Sequence, residues 1–217
     1  MEGKFITLEG IDGVGKSTQM ACIGRLLKEA GIDYIATREP GGTPLAEEIR
    51  RLLLEVRDEP VAGLAELLLV FAARSQHLEE RILPALDAGV WVVSERFTDA
   101  TYAYQGGARG LSERAIGQLE SLVQGALQPH LTLYLDAPLA TAAQRMGDRA
   151  GDRFEREGTE FFHRVREGYL SRARRHARIV VVDAARPVGE VSAAVAAALG
   201  PLISARSSKL SPARESQ

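Results

Sequence analysis

Gly10-Ile11-Asp12-Gly13-Val14-Gly15-Lys16-Ser17, with Thr18 behind it, is the segment whose residue types and spacing most directly imply chemistry. It fits the pattern G-x-x-x-x-G-K-[ST], placed after an apolar run and at the head of an amphipathic one. Glycines let successive backbone N–H groups converge on an anion, and a helix start adds positive potential. Lys16 would neutralise the β- and γ-oxygens of a nucleoside triphosphate, and the Ser17 hydroxyl would meet the Mg2+ that accompanies it. Such a loop binds a nucleoside triphosphate.

Three uses of that loop have to be separated. A guanine-reading switch carries an Asn-Lys-x-Asp motif, which a chain without a single asparagine cannot supply. A motor or transport ATPase usually brings a larger or multi-domain chain than these 217 residues. A small-molecule kinase needs a second pocket and many cations around an acceptor phosphate. Of the 27 basic residues, 23 are Arg and only 4 are Lys. Arginine forks suit bidentate phosphate contacts; a compositional bias that makes Ala abundant explains the same excess, and composition does not choose. Asp12 is acidic inside an anion-binding loop, so it either stabilises the turn or faces a substrate. Arg38 and Glu39 follow the second strand, at the edge where ligands of open α/β sheets gather. Phe71 and Arg74 lie one helical turn apart on a shared face. His77, His130, His163, His176 and Cys22 show no metal-ligand spacing.

These residues need a frame. Five short runs read as strands: Phe5–Leu8, Tyr34–Thr37, Val90–Ser94, Leu131–Leu135 and Ile179–Val182. Their nearly unbroken Val, Ile and Leu content predicts strands buried on both faces. Helical stretches alternate with them: Lys16–Ala30, a helix from Pro44 to Leu54 capped by Thr43, Ala62–His77, Ser112–Leu127, Pro138–Met146, one carrying Phe161, Val165 and Tyr169, and Val188–Leu199. The alternation predicts a single α/β domain over residues 1–203 with a parallel sheet, and a polar tail at 204–217 without structure. A net charge of −2 argues against a general nucleic-acid partner. The longest apolar run, Leu67–Ala73, is far short of the roughly 20 residues that span a bilayer. One cysteine excludes an internal disulfide and fits a reducing cytoplasm.

Further segments stand in a fixed order along the chain: Leu8-Glu9-Gly10-Ile11-Asp12-Gly13 and Thr37-Arg38-Glu39-Pro40-Gly41-Gly42-Thr43. Phe71-Ala-Ala-Arg74, Ser94-Glu95-Arg96-Phe97 and Thr101-Tyr-Ala-Tyr104-Gln105-Gly-Gly follow, then Leu133-Tyr-Leu-Asp136 and Asp152-Arg153-Phe-Glu155. In these segments the chain resembles the bacterial thymidylate kinases, which phosphorylate dTMP to dTDP at the expense of ATP. The resemblance implies a three-layer P-loop NTPase fold with a five-stranded parallel sheet flanked by helices, a lid at about 146–157, Mg2+ dependence and a homodimer.

The resemblance also implies roles. ATP would be held by Gly10, Ile11, Asp12, Gly13, Val14, Gly15, Lys16, Ser17, Thr18 and, on the adenine side, Arg186. Asp12 would contact the 3′-hydroxyl of dTMP; Glu39, Pro40 and Arg50 would line its site, with Arg50 on the phosphate. Thymine would stack on Phe71 and pair with Arg74, although the family places that Phe four residues before the Arg, where this chain has Val70. Thr101 and Gln105 would offer polar contacts to the base, and Tyr104 would crowd a 2′-hydroxyl. Arg96 would bridge donor and acceptor phosphates, with Glu95 orienting it or holding Mg2+-bound water. Glu95-Arg96 stands where the family more usually has Asp-Arg, and a Glu there is also a deoxynucleoside-kinase feature. Another deoxynucleotide or deoxynucleoside kinase therefore stays open. Because Gly13 follows Asp12, the P-loop offers no arginine, and Arg149 and Arg153 of the lid are expected to carry transition-state charge.

Overall fold

The computed structural model describes residues 3–147 and 151–209. Its centre is a five-stranded, all-parallel sheet in the order β2-β3-β1-β4-β5. The strands are β1 (Phe5–Glu9), β2 (Tyr34–Arg38), β3 (Trp91–Glu95), β4 (Leu131–Asp136) and β5 (Ile179–Asp183). In register, Leu8 of β1 faces Glu95 of β3 on one side and Leu133 of β4 on the other. β1 is buried along its whole length, whereas the edge strands β2 and β5 are partly exposed. This is the predicted fold class, with each strand within two residues of its expected bounds.

The helices are α1 (Lys16–Glu29), α2 (Pro44–Leu54), α3 (Gly63–His77), α4 (Leu83–Asp87), α5 (Thr98–Thr101), α6 (Glu113–Gln124), α7 (Leu139–Met146), α8 (Thr159–Arg175) and α9 (Val188–Lys209). Thr43 caps α2 by accepting the Ala46 N–H, as its position before Pro44 predicts. Two wide π-type turns were not legible: Leu78–Ile82 carries α3 on into α4, and Tyr102–Ala108 extends α5. The second lies tightly against α8, where a Cβ on Gly168 would stand 2.8 Å from Ala103 Cα. Only glycine permits that approach.

The main core gathers Ile6 and Leu8 of β1, Ile23 and Leu27 of α1, Leu133 of β4, and Phe161, Val165 and Tyr169 of α8. Helix α9 adds Val191, Val195 and Leu199, one per turn. It departs from expectation by running on to Lys209: residues 204–209 are helical, because nothing after Pro201 in that stretch breaks the ladder. Residues 210–217 of the expected tail lie outside the described residues. By length and composition Val188–Arg206 could cross a bilayer, although alanines supply much of its apolarity and its buried stripe packs on the core. Gly3 at the other end is buried, its N–H donating to Leu86 O at 3.2 Å.

Candidate active site

Parallel strands end on one edge, and their carboxyl ends present the loops that matter. After β1, Gly10, Gly13 and Gly15 adopt φ values of 141°, 83° and 97°, left-handed conformations that favour glycine. A Cβ on Gly13 would collide with the Ala142 carbonyl of α7. Helix α7 therefore leaves no room for an arginine side chain after Asp12.

Lys16 closes the loop and is buried. Its Nζ donates to Ile11 O at 3.0 Å and Asp12 Oδ1 at 2.8 Å, with Glu95 Oε1 at 3.7 Å. Burial, then the nearby Arg96 charge, pull the Lys16 pKa below its ordinary value. Asp12 also accepts from Arg96 Nη2 at 2.9 Å. Burial works against ionisation of Asp12, but Arg96 and Lys16 outweigh it and hold the carboxyl well below the usual range. The electrostatic oddity of an acid in this loop is resolved: Asp12 is the counter-ion of two cations. Ser17 and Thr18 are exposed on the first turn of α1.

Beside the P-loop lies a cavity of about 150 Å³. Arg38, Arg50 and Arg96 line it together with Asp12, Glu39, Pro40 and Glu95, and with Arg74 four cations face one space. Burial and then the charges of Arg38 and Arg96 lower the Arg50 pKa, as convergent cations require. Arg50 is steadied through Nη1 to Pro40 O at 3.0 Å. The rest of the lining is Leu53, Leu54, Val70, Arg74, Phe97, Ala100, Thr101, Tyr104, Gln105, Asp152 and Phe154. The site is thus cationic where it meets the P-loop and aromatic, apolar and amide-bearing elsewhere.

Arg74 is buried between the rings of Phe71 and Phe97, 4.8 and 4.9 Å from their centroids. Its Nε donates to Glu39 Oε2 at 2.7 Å and its Nη2 to Thr101 Oγ1 at 2.9 Å. The other Glu39 oxygen meets His77 Nδ1 at 3.1 Å, and His77 Nε2 meets Thr37 Oγ1 at 2.7 Å. His77, which sequence spacing left without a role, thus partners the carboxylate that holds Arg74. Gln105 donates to Glu66 Oε1 at 2.8 Å, and the Tyr104 hydroxyl accepts from Arg96 at 3.1 Å.

Two expected placements change. Phe71 does not line the cavity; it packs in a satellite core with Leu67 and Ile116. Both positions neighbour Arg74 on the helix, but Val70 forms the wall while the Phe71 ring lies behind it against the Arg74 guanidinium. Arg153 is not brought to the P-loop. Its Nε donates to Leu53 O at 2.8 Å, its Nη2 lies 2.7 Å from buried Glu66, and its guanidinium stacks on Phe154. Arg109 shares Glu66 at 3.2 Å, so Glu66 holds two arginines. Arg149 lies outside the described residues. Arg186 is exposed and paired with Asp183 at 3.1 Å, but it lines a second hollow with Gly15, Thr18 and Arg145. Arg145, bound to Ala184 O at 2.8 Å, carried no sequence signal.

The P-loop and the cation-walled cavity beside it meet where Asp12 bonds to Arg96, on the sheet and helices of a P-loop NTPase fold. Comparison with known proteins narrows the class. The family model "Thymidylate kinase" matches residues 8–195. The thymidylate kinase of Chromohalobacter salexigens is 57% identical over 202 residues, covering 91% of this chain and 95% of the relative. That of Teredinibacter turnerae is 54% identical over 201 residues, covering 92% and 98%. The crystal structure of thymidylate kinase from Ehrlichia chaffeensis aligns with a TM-score of 0.75 at 32% identity, covering 92% of this chain and 99% of that one. The chain belongs to the thymidylate kinase family.

Proposed function

We propose that the protein transfers the γ-phosphoryl group of ATP to dTMP, giving ADP and dTDP. The observation that supports this reading is the cavity itself, where Arg38, Arg50 and Arg96 share the lining with Asp12 of the P-loop and with buried Arg74. The acceptor phosphate is already an anionic nucleophile and needs no general base, so the chain's task is to position it and neutralise charge. Arg50 and Arg38 hold that phosphate, Arg96 lies between acceptor and P-loop, and Lys16 takes the donor oxygens. With Asp12 as their shared counter-ion, Lys16 and Arg96 keep fixed positions before substrate arrives. Asp12, and then Glu95 at 3.7 Å from Lys16 Nζ, work against the downward pull of burial and Arg96 on the lysine.

Among the described residues no group of His, Cys, Asp and Glu forms a metal site of its own. The exposed Ser17 hydroxyl and the cavity-facing Glu95 carboxylate are hard oxygen donors that suit Mg2+ arriving with the nucleotide. Mg2+ would neutralise donor phosphate charge; Ser17 would touch it and Glu95 would reach it through water. A homodimer is supported by exposed Leu64 and Leu68 on α3 and Leu122 on α6, two helices packed against each other. The single cysteine, buried Cys22, fits a cytoplasmic setting.

ADP release with ATP, measured against a panel of dTMP, dUMP, thymidine, UMP and GMP, tests the reading. dTMP is expected to lead, with activity abolished by EDTA and restored by Mg2+. Clear preference for thymidine, UMP or GMP would replace it with another kinase specificity.

A further inference from the structure

Glu9, the last residue of β1, is fully buried, and its carboxylate belongs neither to the P-loop nor to the cavity wall. Its Oε1 accepts the Phe97 N–H at 2.8 Å, and its Oε2 accepts the Tyr169 hydroxyl at 2.8 Å. Next to Phe97 stands Arg96, whose φ of 66° is the one left-handed value at a non-glycine among the described residues. Such a backbone is strained and persists only where its surroundings over-determine it. Here the Arg96 N–H donates to Leu8 O at 2.9 Å and Ser94 Oγ donates to Arg96 O at 2.8 Å. The guanidinium is held by Asp12 at 2.9 Å, the Tyr104 hydroxyl at 3.1 Å and the Tyr169 hydroxyl at 3.5 Å. Of these supports, Glu9 alone reaches both ends of the residue, the main chain through Phe97 and the side chain through Tyr169.

We propose that Glu9 is a positioning residue that holds Arg96 in its left-handed corner and aims the guanidinium between P-loop and acceptor cavity. This rests on the reading of Arg96 as the cation between the two phosphates. Burial, then the Asp99 carboxylate, push the Glu9 carboxyl up to about 8, against the pull of Arg96, Tyr169 and the Phe97 amide. At neutral pH Glu9 therefore supplies geometry rather than a second countercharge. The Arg96 charge stays available to phosphate oxygens.

The test uses the full-length protein with Glu9→Gln, Glu9→Leu and Tyr169→Phe. Gln keeps an acceptor for the Phe97 N–H and a polar partner for Tyr169, so kcat is expected within about 5-fold of wild type. Leu removes both contacts, and kcat is expected to fall at least ~30-fold, since a displacement near 1 Å costs that order in rate. The KM values for ATP and dTMP should stay within about threefold, because the brace acts on aim rather than on ground-state contacts. Amide exchange at Phe97 should quicken in Glu9→Leu while β1 and β4 stay protected. If Glu9→Leu does not fold, Tyr169→Phe, which loses one hydroxyl, must show the same fall in kcat at steady KM. A folded Glu9→Leu, or failing that Tyr169→Phe, with near-normal kcat would overturn the proposal. Arg96→Ala in the same assay separates the two layers: near-normal kcat there removes the reading of Arg96, whereas unchanged Phe97 exchange in Glu9→Leu removes the brace.

Discussion

A guanidinium has five N–H donors, and in Arg74 the contacts to Glu39, Thr101 and Gln124 engage three, the last at 3.5 Å. Two stay available to a ligand on the cavity wall, and the pairing of Glu39 with His77 keeps that carboxylate from clasping Arg74 with both oxygens. Arg74→Ala should weaken dTMP binding by about 1–3 kcal/mol, the loss typical of a buried polar contact left unmade, with ATP affinity nearly unchanged. Titration calorimetry with each nucleotide checks this; equal losses would take Arg74 out of the acceptor pocket. A second expectation concerns Glu9, whose carboxyl rises from 4.5 to about 8 on folding. Between those limits the folded protein keeps a proton that the unfolded chain has released. Stability conferred by neutral Glu9 is therefore complete below pH 4.5 and declines as pH climbs to about 8, by at most about 1.4 kcal/mol per pH unit. Urea unfolding of wild type and Glu9→Gln from pH 5 to 9 should show the wild type losing ground to the variant across that window. Parallel curves would place the Glu9 pKa near its ordinary value.

Among the elements, the segment from Asp152 to Glu157 puts Asp152 and Phe154 on the cavity wall and is fastened at its base. Arg153 reaches the carbonyl of Leu53 at the end of α2 and Glu66 on α3, while Arg109 ties Glu66 to Glu157 at 2.5 Å. Arg153→Ala should therefore act on stability. Breaking a buried pair costs about 3–5 kcal/mol, and the low end applies because Arg109 still neutralises Glu66. A transition-state arginine would instead cost roughly 10³–10⁵ in kcat with the fold intact. Thermal melts and kcat on one preparation decide, and an unshifted melt with a hundredfold slower enzyme would return Arg153 to catalysis. The strands and the P-loop were legible because periodicity and turn chemistry are local. Val70 was half legible, since helical spacing pairs it with Arg74 while the aromatic at 71 draws attention. The roles of Glu9, Glu66 and His77 were not legible: a buried polar group is defined by partners 35 to 160 residues away, such as Arg74 for Glu39 or Tyr169 for Glu9.

For the molecule as a whole, the apolar face on α3 and α6 sets the remaining expectation. Leu68→Glu combined with Leu122→Glu should convert a dimer to monomer in analytical ultracentrifugation, since two charges would be buried without partners. An unchanged sedimentation coefficient would move the interface elsewhere. The two ends of the chain differ in another way. Gly3 is wedged between α4 and β3, where even a Cβ would stand 2.5 Å from the Val90 carbonyl oxygen, whereas Ser204 sits exposed near the end of α9. A fluorophore, affinity handle or surface tether therefore belongs at the carboxyl-terminal end. Attachment through Gly3 would pry at the start of the central strand, and with it the loop that strand carries.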